Sequence, residues 1–314
     1  MVKESAISIS VVIPCYNGMP YLPKALDSVL AQTLPPVEIL VVDDGSKDGS
    51  AQTVRDYATK TDGKVRLIQQ ANAGEPAARN TGLAAARGAW IAMLDADDWW
   101  DPRKLELQMR AAEAAGPECV LVHTGGWKHF PDGRIVESDL AAGARRTGWC
   151  TAALLEPTSI GHPSILIRKT ALEKIHGYDV AFRQSCDIDL YFRLSAIGTF
   201  AFVPERLLHY RVHAQQMSAS QIDQIPFHHR AVRNFFAAHP ELAEKIGPEN
   251  ITAALARHVE VNLESLYWRR QLADFRQLLN YARENNLDSP GITRWRQKAR
   301  WPDWAIRLKN RLIG

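Results

Sequence analysis

The chain has 314 residues, of which 46% are apolar and 23% charged, ordinary values for a folded protein that exclude a disordered or fibrous chain. The length exceeds one average domain and points to a large domain with an appendage, or to two domains. A net charge of +3 is too small to mark a nucleic-acid binder, and no nucleic-acid partner is expected.

The first apolar stretch, Ile7 to Ile13, is interrupted by Ser8 and Ser10 and stopped by Pro14, which describes a strand and not a signal peptide. Ile39 to Val42, Val65 to Ile68 and Trp90 to Leu94 repeat its β-branched, two-sided apolar character, as strands buried on both faces do. Between them Leu22, Ala25, Leu26, Val29 and Leu30 recur at helical spacing, as do Val54, Tyr57 and Ala58, and Pro76 to Ala86 is alanine-rich. Strands alternating with helices predict a mostly parallel, doubly wound α/β sheet.

Asp101 is positioned to cap a further helix, with Pro102 at its first turn, running to Gly116. Cys119 to His123 reads as a strand, and Pro131-Asp132-Gly133 as the turn of a hairpin between residues 127–130 and 135–136. Ile165 to Ile167 and Phe200 to Pro204 read as strands, Thr170 to Ile175 and Asp187 to Ala196 as helices. We divide the chain into an α/β domain, residues 1–215, and a helical extension, residues 216–314, with the boundary between Ala214 and Ile225. In the extension Leu255, Val259, Leu263 and Leu266 precede Leu272, Phe275, Leu278 and Leu279, the pattern of an antiparallel helix pair.

Cys15, Cys119, Cys150 and Cys186 lie far apart with no C-x-x-C pair, as incidental thiols of a reducing compartment do. No segment approaches the roughly 18 uninterrupted apolar residues of a membrane-spanning helix. A cytoplasmic location follows as the expectation, with any membrane contact peripheral.

In an open α/β sheet, ligands sit beyond the carboxyl ends of the strands. Three ends are polar here: Pro14-Cys15-Tyr16-Asn17-Gly18, Asp43-Asp44-Gly45-Ser46 and Asp95-Ala96-Asp97-Asp98. Neither G-x-G-x-x-G nor G-x-x-x-x-G-K-[ST] occurs, which weighs against dehydrogenase and P-loop readings. A diphosphate can instead be held through a divalent cation bound by carboxylates at a strand end, and Asp95-x-Asp97 supplies them. Asp98 reads as a helix-capping residue and is kept out of the metal set.

V-V-I-P-C-Y-N-G, V-V-D-D-G-S, the stretch from Asn72-Ala73-Gly74 to Ala78-Arg79-Asn80, and L-D-A-D-D-W-W-D-P together resemble family 2 glycosyltransferases over roughly residues 7 to 213. The resemblance implies a GT-A fold, a Rossmann-like sheet flanked by helices. It further implies a nucleotide-sugar donor, Mn2+ or Mg2+, and inversion at the anomeric carbon. By position, Pro14, Tyr16 and Asn17 would line the nucleoside pocket and Asp44 would accept from the uracil ring or ribose. Arg79 would lie near the diphosphate, Asp95 near ribose and metal, and Asp97 on the metal. His213, closing the segment His209-Tyr210-Arg211-Val212-His213, would touch metal or phosphate. Asn72 and Asn80 are open to loop hydrogen bonding or donor contact, and His162 to a place in a turn or toward the acceptor.

The family places its catalytic base in a Glu-Asp pair before a helix. Here the pair reads Cys186-Asp187, so Asp187 aligns with the base and Cys186 departs from the pattern. Asp189 reads as a helix cap or a partner of Arg193.

The last 24 residues carry seven Arg or Lys against one Asp, interleaved with Trp295, Trp301 and Trp304. They suit either an interfacial helix on anionic lipid or aromatics packed on the fold with charges in water. Gln297 to Trp301 spells Q-x-x-R-W, a signature of processive synthases, but lies more than 100 residues beyond Asp187 and is set down to chance. The reading is a non-processive transferase moving sugar from a UDP-sugar to a glycan or lipid-linked glycan acceptor. Its alternatives are a sugar-nucleotide or carbohydrate-binding module without transfer activity, and a nucleotidyltransferase.

Overall fold

The computed structural model describes residues 8–156, 160–213, 216 and 221–300. Alternation at the start of the chain gives β1 (Ile9–Cys15), α1 (Leu22–Leu30), β2 (Glu38–Asp43), α2 (Ser50–Lys60), β3 (Val65–Gln69), α3 (Glu75–Ala85) and β4 (Trp90–Met93). Every residue of β1, β2 and β4 is buried, which is why their sequences run apolar without alternation. β2 pairs in parallel with β1 and β3, and β4 with the other edge of β1. The chain thus goes outward through β2 and β3, then returns past β1, so a crevice opens beyond the carboxyl ends of β1 and β4.

Past β4 come β5 (Trp99–Trp100), α4 (Lys104–Ala115), β6 (Cys119–His129), β7 (Ile135–Glu137), α5 (Leu140–Ala144), β8 (Leu166–Arg168), α6 (Lys169–Lys174), α7 (Cys186–Ser195) and β9 (Thr199–Arg211). The sheet runs β3-β2-β1-β4-β8-β6-β9-β5, with β7 on β6. β8 is antiparallel to both β4 and β6, so the parallel half is joined to a mixed one. The expected hairpin at residues 131–133 is present as the β6–β7 pair.

Three expectations need correction. The helix after β4 begins at Lys104, not after an Asp101 cap. Trp99 and Trp100 pair with β9, the Asp101 N–H donates to the Leu207 carbonyl, and the Asp101 carboxylate holds the Arg103 N–H in a turn before the helix. Asp98 does not cap a helix, because its Oδ1 accepts the Arg211 N–H at 2.8 Å. β6 and β9 are also far longer than their apolar runs. Their ladder continues through register shifts at Gly125 and Gly126 and past Pro204, residues that disfavour strands by propensity alone.

Gly82 sets how closely α3 lies on the sheet: a Cβ there would meet Val12 Cγ1 at 2.4 Å. The close approach brings the first turn of α3, and with it Arg79, to the crevice.

The chain divides into two compact units, one of residues 1–151 and 160–216 and the other of residues 152–159 and 217–314. The second contains α8 (Gln221–Ala238), α9 (Pro240–Ile246), α10 (Pro248–Trp268), α11 (Leu272–Glu284) and α12 (Pro290–Lys298). The apolar stripes of α10 and α11 are buried, joined by Ile292 and Trp295 of α12. Trp295 packs 5.0 Å from the Tyr267 ring, so this tryptophan of the basic segment belongs to the helical core. Residues 301–314, with Trp301 and Trp304, lie outside the described residues. Among the described residues no helix is long and apolar enough to cross a membrane.

Candidate active site

The strand-end loops are stitched together before any ligand is considered. Asn17, in a left-handed conformation with φ 52°, donates its N–H to Ser46 Oγ at 2.8 Å, and its Oδ1 accepts the Lys47 N–H at 2.9 Å. Left-handed backbone is tolerated best by glycine and asparagine, so Asn17 suits this junction. Pro14 is buried at the end of β1, whereas Tyr16 stands 54% exposed, an aromatic face open to solvent beside the crevice.

Asp44 is buried and engaged. Its Oδ1 accepts from Gln70 Nε2 at 2.7 Å and the Ala73 N–H at 2.9 Å, and its Oδ2 from the Gly74 N–H at 2.9 Å. A carboxylate offers about four acceptor positions, and three are spent on fixing the loop that leads into α3. Asn80 is likewise internal, exchanging two 2.8 Å hydrogen bonds with the Tyr178 backbone.

Arg79, one turn into α3, is 3% exposed and links three elements. Its Nη2 lies 2.5 Å from Glu75 Oε1 and 3.1 Å from Asp95 Oδ1, while its Nη1 lies 3.2 Å from Cys186 Sγ on α7. Burial pushes the Asp95 carboxyl up to about 7, opposed by Arg79 and aided by Glu75 and Asp97. Asp97, two residues on, turns toward the end of β9, where its Oδ2 lies 2.8 Å from His213 Nε2. Arg211 braces this corner by donating Nε–H to the Asp97 carbonyl at 3.0 Å.

Among the described residues no three His, Cys, Asp or Glu side chains form a metal-holding group. Asp97 and His213 make a donor pair instead, and the second ring nitrogen of His213, Nδ1, is buried without a partner among the described residues. One carboxylate and one imidazole would supply two positions of a divalent cation and leave the rest to phosphate oxygens and water.

On the opposite side of Arg79, α7 starts at Cys186 and presents Asp187 in its first turn. Burial raises the Asp187 carboxyl above its usual range, with Arg79 opposing the rise. Asp189 is instead taken by Arg193, whose Nε lies 2.9 Å from its Oδ2 and whose Nη1 reaches the Ile175 and Gly177 carbonyls. His162 is buried, with Nδ1 2.8 Å from the Tyr191 hydroxyl and Nε2 2.8 Å from the Tyr178 hydroxyl. Both of its ring nitrogens are thus engaged by tyrosines, Tyr191 of α7 among them.

Sequence reasoning singled out Asp95, Asp97, Asp187 and His213 but missed Glu75, Arg211, Tyr178 and Tyr191. Of these only Glu75 carried a local signal, its i,i+4 spacing to Arg79.

The fold matches structures of GT-A type. Residues 1–349 of TarS from S. aureus, in complex with UDP-GlcNAc, superpose with a TM-score of 0.64 at 16% identity, covering 87% of this chain and 79% of that one. GalNAc-T7 with UDP, GalNAc and Mn2+ gives a TM-score of 0.56 at 18% identity over 76% of this chain and 51% of that one. At such identities the likeness establishes the fold, an α/β GT-A arrangement with a helical extension.

Sequence matches settle the family. Residues 10–175 match the model of glycosyl transferase family 2. An uncharacterized glycosyltransferase of Nostoc sp. (strain PCC 7120) is 35% identical over 68% of this chain and 68% of its own length. The uncharacterized glycosyltransferase EpsJ of Bacillus subtilis is 40% identical over 40% of this chain, but the match spans only 36% of EpsJ. The chain belongs to glycosyl transferase family 2, which removes the nucleotidyltransferase alternative.

Proposed function

We propose that the protein is an inverting, non-processive glycosyltransferase that moves a sugar from a UDP-sugar to a hydroxyl of a glycan or lipid-linked glycan, in the synthesis of a cell-surface polysaccharide. One observation carries the reading: the Arg79 guanidinium spans from Asp95 on the acidic strand end to Cys186 beside Asp187. A donor-binding end and a proton-accepting end thus meet on a single buried side chain.

Inversion requires a base on the acceptor hydroxyl, on the face of the sugar opposite the departing nucleotide. Asp187 takes that proton as the hydroxyl oxygen bonds to the anomeric carbon. The carbon–oxygen bond to the diphosphate breaks, and its electron pair leaves with the nucleotide. Burial raises the Asp187 carboxyl, which makes its conjugate base a stronger proton acceptor than a solvated aspartate. Tyr16 offers its exposed ring to the nucleoside, Pro14 and Asn17 shape that pocket, and Asp44 holds its wall with one acceptor position left for the base or ribose. A Mn2+ or Mg2+ ion held by Asp97 and His213, with Asp95 beside them, would supply positive charge to the departing diphosphate.

The test is hydrolysis or transfer from UDP-glucose, UDP-galactose and UDP-GlcNAc. Asp187→Asn should lose about 100- to 10,000-fold in kcat while UDP binding persists. Full activity in that variant would remove Asp187 as base, and no turnover by the wild type with any donor would favour the binding-module alternative. Peripheral attachment through residues 301–314 is tested separately, by whether vesicles of phosphatidylglycerol capture the full chain but not one ending at Arg300.

A further inference from the structure

Arg79 is a buried cation serving three carboxylates: Glu75 and Asp95 contact it directly, and its field acts on Asp187. The service is lopsided. Among the described residues both charged partners crowd onto Nη2, Nη1 hydrogen-bonds only to the Cys186 sulfur at 3.2 Å, and Nε has no partner. Burial holds the Cys186 thiol well above its usual range, so it stays neutral and is a weak acceptor. A buried guanidinium held on one side by an uncharged sulfur must be neutralised from elsewhere.

Glu75 sits one helical turn before Arg79, at the i,i+4 spacing that lets the two side chains meet, and it makes the shorter of the two ion-pair contacts. With side chains 26% and 3% exposed, the pair is more shielded from water than an ordinary surface pair.

We infer that Glu75 is a positioning residue of the transfer site: its carboxylate holds Arg79 between Asp95 and α7, the task that the neutral Cys186 leaves undone, so that residues 75 and 186 form a compensating pair. The site needs one carboxylate on Arg79 besides Asp95, and it takes it from α3. This rests on Asp187 being the base. The groups acting on Asp187 are Arg79 and Glu75 of α3 and, within α7, Cys186 and Tyr191. Removing the Glu75 charge leaves Arg79 less compensated and lowers the pH at which Asp187 ionises; a carboxylate at 186 restores the balance.

A four-member cycle tests this: wild type, Glu75→Gln, Cys186→Glu and the double variant, assayed with whichever of UDP-glucose, UDP-galactose and UDP-GlcNAc is turned over. Glu75→Gln should lower kcat about tenfold, change donor KM by less than about threefold, and move the acid limb of kcat down by roughly half a pH unit. Cys186→Glu added to it should recover kcat to within about threefold and return the limb. The 13C titration of the Asp187 carboxyl, assigned with Asp187→Asn, reads the same shift without turnover. A purely structural Glu75 would lower the unfolding midpoint and leave limb and titration in place. An unmoved titration in Glu75→Gln, or a double variant that folds yet is no better than Glu75→Gln, overturns the inference. If the double variant does not fold, the Glu75→Gln titration decides alone. Failure of the donor-site reading would look different, as absence of a UDP-dependent thermal shift in the wild type.

Discussion

His213 Nε2 and Asp97 Oδ2 lie 2.8 Å apart although 116 residues separate them in the chain. The long β9 delivers the imidazole to the acidic strand end, and Arg211 locks the corner through the Asp97 carbonyl. If this pair is a metal site, His213→Ala should weaken Mn2+ binding about 10- to 100-fold, the range for losing a ligand-orienting partner. Calorimetric titration of Mn2+ into protein saturated with UDP measures it. Unchanged affinity would mean that His213 neither binds the cation nor orients Asp97 toward it.

Asp187 gives a pH prediction with a definite sign. Burial raises its carboxyl, and the base must be ionised, so activity falls with decreasing pH earlier than it would for a solvated aspartate near about 3.9. The acid limb of kcat should lie above that value and disappear in the residual activity of Asp187→Asn. A limb at or below about 3.9 would show that the base is solvated or is another group.

Gly82 tests how the sheet positions Arg79. Gly82→Ala gains up to about 1 kcal/mol of helix propensity but drives a methyl to 2.4 Å from Val12 Cγ1 and 3.3 Å from Val42 Cγ2. Overpacking of that kind costs about 1–3 kcal/mol, so the clash wins. The unfolding midpoint should fall by a few degrees and UDP binding should weaken with it. A stabilised variant would mean that α3 can ride up without consequence.

The helical unit carries its own acid sensitivity. His229 Nε2 meets His258 Nδ1 at 3.2 Å, Tyr281 Oη lies 3.0 Å from His229 Nδ1, and the His228 and His258 rings stand 4.2 Å apart. Burial lowers all three imidazoles, His228 to about 3 and His258 to about 4, and their mutual repulsion adds to it for His228 and His229. Folded pKa values below the unfolded 6.5 mean that their contribution is intact above that pH and is lost as pH falls from 6.5 toward 4. Each imidazole kept neutral costs about 1.4 kcal/mol per pH unit over that window. The unfolding of α8, α10 and α11, followed by hydrogen exchange, should become easier between pH 6.5 and 4.5, and His258→Gln should flatten the dependence. Equal pH dependence in the variant would contradict the assignment.

Strands buried on both faces declared themselves in sequence, because a two-sided environment leaves no polar alternation to misread; β1, β2 and β4 are the cases. The acidic strand ends stood out because charge directly after a buried run is uncommon, although Asp44 and Asp98 are spent on holding loops and strands. What sequence could not show depends on contacts between distant residues. β6 and β9 extend through Gly125, Gly126 and Pro204 because each supports the other, which local propensity does not register. Asp101 looked like a helix cap until β9 claimed the preceding tryptophans. Asp44 looked free for a ligand, yet three of its acceptor positions hold Gln70, Ala73 and Gly74. The meeting of Arg79 with Cys186 spans 107 residues and left no trace in spacing.

The central claim is a nucleoside-diphosphate site completed by a cation at Asp97. Thermal unfolding with UDP, with and without Mn2+, on wild type and Asp97→Ala tests it most directly. UDP at about 100 times its dissociation constant should stabilise the wild type by about 2.7 kcal/mol, a shift of several degrees. The account predicts that this shift requires Mn2+ and vanishes in Asp97→Ala. A UDP shift of equal size without Mn2+, or one that survives Asp97→Ala, would contradict it.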